Sequence, residues 1–124
     1  MNLTEIDSLG FDEIIDYAIS SFKREFGERK FNTAHNKITT SKKVTALIEA
    51  TKIRGVPPGA YDFLHCVNGM SYFIFSRGQT QAVGALLALQ KWNLEVNIFN
   101  NMLNEEELRL RAIKIIEGSK PTMF

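Results

Sequence analysis

The chain predicts a mixed α/β domain, with a sheet of about four strands flanked by helices. Three observations predict it. Phe11, Ile14, Ile15, Ala18, Phe22 and Phe26 fall on one stripe of a helix. DFLHCV (62–67) and SYFIF (71–75) are apolar, aromatic-rich runs separated by Asn68-Gly69. Asn-Gly marks a hairpin because both central residues of a type I′ turn need positive φ. EVNIF (95–99) reads as a further strand between two helical segments.

The elements follow in order. The first helix runs from Phe11 to about Phe26 and stops at Gly27. KFNTAH (30–35) alternates polar and apolar over a short window and reads as a strand, with a polar turn over 36–40. Ser41 caps a second helix over roughly 42–53, with Val44, Leu47, Ile48 and Thr51 facing inward. Gly55, Pro57, Pro58 and Gly59 break it. After the hairpin, 79–92 is helical with Val83, Leu86, Leu87 and Leu89 apolar, and Gly84 weakens it by about 1 kcal/mol relative to alanine. Asn104 caps a last helix whose acids crowd its N-terminal end and whose bases follow, as the helix dipole favours. Gly118 and Pro121 end it.

With 124 residues and 44% hydrophobic content, the sequence fits one domain, 1–124, with a small core. No apolar run approaches the roughly 18–20 residues that span a bilayer. The start, MNLTEIDSLGFDE, is acidic and lacks the pattern of a signal peptide, so the expected location is cytoplasmic. The single cysteine, Cys66, excludes an internal disulfide and a cysteine-built zinc site. It reads as a small buried hydrophobe.

The net charge of +1 hides an uneven distribution. Residues 1–22 hold five acids and no base; residues 23–54 hold nine bases and three acids; residues 55–124 hold six of each. A basic block of this kind meets phosphates or forms the solvated face of helices. Its candidates for nucleic-acid contact are Lys37, Lys42, Lys43, Lys52 and Arg54, with Arg77 near the hairpin.

The stretch GVPPGAYDFL (55–64), with its flanking elements, resembles the VRR-NUC branch of the PD-(D/E)xK nuclease superfamily. The matching residues are Gly55, Val56, Pro58, Gly59, Ala60, Tyr61, Asp62, Phe63 and Leu64. The resemblance covers about 11–117 and implies a restriction-endonuclease-like sheet. It also implies a first metal-binding aspartate at Asp62, an acid from the first helix (Glu13 or Asp16), a glutamine at Gln79 or Gln81 near the scissile phosphate, and a dimer. Hydrolysis by this route needs Mg²⁺ or Mn²⁺ held by carboxylates, which lowers the pKa of a bound water, and a lysine to steady charge.

The register of the expected hairpin tests this implication. With Asn68-Gly69 as the turn, Asp62 stands opposite Phe75, so the family's (D/E)-x-K triplet falls on Ile74-Phe75-Ser76. Isoleucine ligates no metal and serine carries no charge. No acid lies anywhere in 63–94, and Arg77 points to the other strand face. Asp62 has a second reading, in which it caps the turn through backbone N–H groups. His65 falls on the face opposite Asp62, and His35, beside Asn32 and Asn36, reads as a loop histidine near the basic block. Trp92, Phe73 and Phe75 read as core rather than as stacking platforms.

The expectation is a nuclease-like domain with a degenerate active site that acts by binding and needs no cofactor. Its target is branched or duplex DNA, or a host protein that it blocks as an inhibitor or decoy, in the manner of a phage or mobile-element product. The alternative is an active, Mg- or Mn-dependent, Holliday-junction-resolvase-like endonuclease with a metal site rebuilt from Asp62 and Glu13. Either way a homodimer and no membrane association are expected.

Overall fold

The computed structural model describes residues 8–60, 62–65 and 79–119. Among them every regular element is a helix, and no strand is present. The expected α/β sheet is therefore corrected to a helical fold. The expected hairpin turn at Asn68-Gly69 lies outside the described residues, as do Cys66, Phe73, Phe75, Ile74, Ser76 and Arg77.

Helix α1, Phe11–Phe26, forms where the stripe predicts it, and buries Phe11, Ile14, Ile15, Ala18 and Phe22. Its start is tied down by two carboxylates. Glu13 accepts the Gly10 N–H at 3.1 Å and Glu105 accepts the Phe11 N–H at 2.7 Å. Gly27 ends it at φ 94°, a backbone state that side chains rarely adopt, and its N–H donates to the Lys23 carbonyl at 2.8 Å.

The chain then turns straight into helix α2, Glu28–Thr40, where a strand and a polar turn were expected. The reason lies in the length of the window. Over six residues KFNTAH alternates; extended to Ile38, its apolar positions are Phe31, Ala34 and Ile38, which is helical spacing, and these three are buried. Phe31 sits edge-on to Phe22 at 6.3 Å between ring centroids, and Lys23 lies 4.8 Å over the Phe31 ring, so the α1–α2 corner is packed around aromatics. Ser41 interrupts the helix for one residue. Its hydroxyl accepts the Val44 N–H at 3.2 Å and opens α3, Lys42–Arg54. Gly55 closes α3 in the left-handed conformation.

Helix α4, Gln79–Trp92, is the centre of the molecule. Residues 82–89 are buried without interruption. A helix apolar on all sides needs cover on all sides. It packs against α1, against α2, and against α5, which spans Glu105–Ser119 and buries Leu108, Ala112, Ile115 and Ile116. Ala82, Gly84, Ala85 and Ala88 keep it slim enough for three neighbours to approach.

The expected strand EVNIF is instead the continuation of this rod. Asn93–Asn97 forms a π-helical turn, and Ile98–Asn100 returns to α-helix before Asn101 ends it at φ 50°. Val96 follows Trp92 by four residues, so it continues the buried stripe, and strand propensity loses to this packing. Asn104 then caps α5 as predicted, accepting the Glu107 N–H at 2.9 Å.

Side chains tie the loops to this frame. The Trp92 indole N–H donates to Thr51 Oγ1 at 2.9 Å, joining α4 to α3. Arg109 donates to the Leu9 carbonyl and Arg111 to the Pro58 carbonyl, both at 2.6 Å, which fixes α5 against the start of α1 and the 55–60 turn. No described helix is long and apolar enough to cross a membrane.

Candidate nucleic-acid interface

The two carboxylates implied as metal ligands are both engaged in capping. Asp62 is exposed on the helical stretch 62–65, and its Oδ2 accepts the Gly59 N–H at 3.3 Å, while its own N–H donates to the Gly59 carbonyl at 3.2 Å. Asp62 thus reaches back three positions to a backbone N–H, and Glu13 makes the same contact to Gly10 at the start of α1. Asp62 opens a helical turn, not a strand, and the turn-capping reading of it is the one the geometry displays. No group of three or more His, Cys, Asp or Glu side chains able to hold a metal occurs among the described residues. Mg²⁺ or Mn²⁺ does not fit the donors present, and no hydrolytic step is derived through it.

Asp62→Ala should therefore cost about 0.5–1 kcal/mol, the loss of one exposed cap, which a urea melt checks.

Gln81 is half-buried in the opening of α4 and is engaged in an interaction of its own. His65 is exposed and likewise engaged. His35 lies on α2, not on a loop, with its ring stacked 5.9 Å from Phe31. Trp92 is fully buried, in line with the core reading.

The basic block fares differently. Residues 29–48 contain no acid, and they fold into α2 and the first half of α3. Phe31, Ala34, Ile38, Val44 and Ile48 take the inner face. Arg29, Lys30, Asn32, Thr33, Asn36, Lys37, Lys42, Lys43 and Thr45 are thereby left exposed. Helical spacing alone achieves this separation, because the apolar residues recur at three and four and the bases fall between them.

Lys37, Lys42, Lys43 and Arg54 have no acidic partner among the described residues. Lys37, Lys42 and Lys43 gather at the α2–α3 bend. Arg54 stands at the far end of α3, about 17 Å along the axis from Lys43 at 1.5 Å per residue, so it is not part of the same cluster. Lys52 is neutralised locally: Glu49 accepts from its ammonium at 2.9 Å and, with Glu95 contributing, holds its pKa above the ordinary lysine value. Arg29 was not singled out from the sequence, yet it shares the exposed face of α2 and has no acidic partner among the described residues. The absence of any acid from 29 to 48 is the signal that would have found it.

One detail runs against stability. The first turn of α3 holds Lys42 and Lys43 and no acid. Cations at a helix N-terminus oppose the macrodipole, at a typical cost of about 0.3–1 kcal/mol each, whereas α1, α2 and α5 all begin with acids. An anion placed at this turn would relieve the conflict.

No protein-family model, curated protein or solved structure matches the chain. The geometry alone carries the functional reading.

Proposed function

We propose that this chain is a nucleic-acid-binding module that grips phosphates with α2 and the first turn of α3. The observation that carries the reading is the acid-free outer surface of 29–48, where Arg29, Lys37, Lys42 and Lys43 are exposed without acidic partners among the described residues. Helix α2, at 13 residues, is about 20 Å long and of a width that a major groove admits. Asn32 and Asn36 stand one turn apart on its exposed face, and asparagine amides pair well with base edges. Thr33, Thr39 and Thr40 return their hydroxyl protons to backbone carbonyls of their own helix, so the bases and the two amides form the contact set. Binding without hydrolysis is favoured because the carboxylates that a metal would need are engaged as caps.

The test is fluorescence anisotropy with a labelled duplex and a labelled four-way junction across a salt series, with Mn²⁺ present and absent. About four phosphate contacts predict that log K falls against log salt with a slope near −3.6. That is roughly a hundredfold loss of affinity between 50 and 200 mM salt. The triple variant Lys37→Glu, Lys42→Glu, Lys43→Glu should abolish measurable binding while leaving the helical circular dichroism intact. Absent or salt-insensitive binding would overturn the proposal. So would cleavage of either probe in Mn²⁺ that disappears in Asp62→Ala.

A further inference from the structure

Helix α2 keeps most of its charge off its outermost line. At about 3.6 residues per turn, Asn36 stands almost diametrically opposite the buried Phe31, Ala34 and Ile38, with Asn32 and Thr33 to either side of that line. Lys30 and Lys37 lie roughly a quarter-turn away, on one flank. Lys42 and Lys43 follow beyond the bend. Arg29 alone brings charge onto the outer line, at its N-terminal end.

The residues on this line are poor choices for a helix. Asparagine and threonine rank low in helix propensity, and five of the 13 positions of α2 hold them: Asn32, Thr33, Asn36, Thr39 and Thr40. All five are exposed, so core packing does not require them. Breaks of local propensity without a packing gain are expected where a surface makes contact with something else. The threonines return their hydroxyl protons to the Arg29 and Asn36 carbonyls and cannot donate to a base, but their methyl groups remain. The side-chain amides of Asn32 and Asn36 have no partner among the described residues. Each therefore offers an acceptor oxygen beside an N–H donor.

That pair is the complement of one base edge. In the major groove adenine shows its N7 acceptor beside its N6 amino donor, and asparagine meets both at once. Guanine shows two acceptors there, which would leave the amide oxygen facing another oxygen or nitrogen lone pair. The thymine paired with that adenine presents a methyl group, which a threonine methyl can touch, and Thr33 and Thr40 lie beside the amides. The spacing agrees. Asn32 and Asn36 are about 6 Å apart along the helix axis, against about 3.4 Å per base step, so with α2 along the groove they face pairs about two steps apart. Only B-form DNA offers such a groove, because the major groove of an A-form RNA duplex is too deep and narrow for side chains to read.

We infer that Asn32 and Asn36 are specificity-determining residues that read adenines about two base pairs apart in the major groove of duplex DNA, while Lys37, Lys42 and Lys43 hold the neighbouring phosphates. This readout rests on the phosphate grip proposed above, and the two fail in different ways.

A DNA duplex library with a randomised core, selected on the full chain, should enrich adenines at that spacing. In the most enriched duplex, replacing either adenine by 7-deazaadenine removes N7 and leaves base pairing intact. Fluorescence anisotropy should then show affinity falling roughly tenfold for each replacement. Asn32→Ala and Asn36→Ala should each lose about the same factor on the unmodified duplex, become indifferent to the deaza base at one position, and keep the parent's salt slope. Alanine is the better helix former, so circular dichroism should match the parent or show slightly more helix, which separates lost readout from lost folding. Duplex binding that enriches no sequence would overturn the inference and leave the phosphate grip standing. So would a preference that survives both alanine variants, or an RNA duplex of the same sequence bound as tightly. Failure to bind any duplex would overturn both readings together.

Discussion

Trp92→Ala should lower the unfolding free energy by about 3–5 kcal/mol, the largest single loss expected in this molecule. Trp92 is wholly buried where α4 meets the π turn, and it carries the only indole in the chain. Its removal deletes the largest buried side chain and leaves a cavity that helices pinned by Arg109, Arg111 and Glu105 cannot easily close. It also strands Thr51, which is itself buried and passes its own hydroxyl proton to the Ile48 carbonyl. For a domain of this size 1 kcal/mol corresponds to roughly 4 °C, so the melting temperature should fall by about 12–20 °C. Thr51→Val separates the two contributions. It keeps the packing volume and removes the acceptor of the indole N–H together with the hydroxyl's own bond to the Ile48 carbonyl, so it should cost about 1–3 kcal/mol. A Thr51→Val loss equal to the Trp92→Ala loss would mean that the hydrogen bond, not the burial, holds α3 to the rod.

The sequence made four of the helices legible and hid the remainder for identifiable reasons. Helix α1 was readable because six apolar residues keep its phase over sixteen positions and a glycine ends it. Helix α3 was readable from Ser41 and the Gly55–Pro58 break, α5 from Asn104 and its acids, and α4 from its apolar content. Helix α2 was missed because its inner face holds only Phe31, Ala34 and Ile38, too sparse to register in a six-residue window. EVNIF was missed because β-branched and aromatic content signals burial on a pleated surface, and Val96 meets the same need by following Trp92 along a helix. The site divides in the same way. The basic block was visible as composition, but which bases act together depends on where α2 and α3 bend, and this separates Arg54 from Lys43. That Asp62 caps a turn was one of two readings the residues allowed; deciding between them required the position of the Gly59 N–H.

Asn97→Ala is the substitution that tests whether the π turn is held from inside. The Asn97 side chain donates to the Leu103 carbonyl at 3.0 Å and to Asn93 Oδ1 at 2.8 Å, and accepts the Leu103 N–H at 2.6 Å. Leu103 is buried as well, so alanine leaves both of its backbone polar groups without a partner and without water. A cost of about 2–4 kcal/mol follows, read by chemical denaturation. Asn97→Asp refines the test through pH. The aspartate still accepts the Leu103 N–H, but its charged form faces the Leu103 carbonyl oxygen in a buried site, which raises its folded-state pKa above about 3.9. Below that unfolded value the protonated acid can donate to the carbonyl and the variant approaches the parent in stability. As pH rises through the raised folded value that advantage is lost, so the deficit relative to the parent grows toward neutrality. A deficit independent of pH would show that the Leu103 carbonyl does not depend on position 97. The π turn would then owe its geometry to the loop at 101–104.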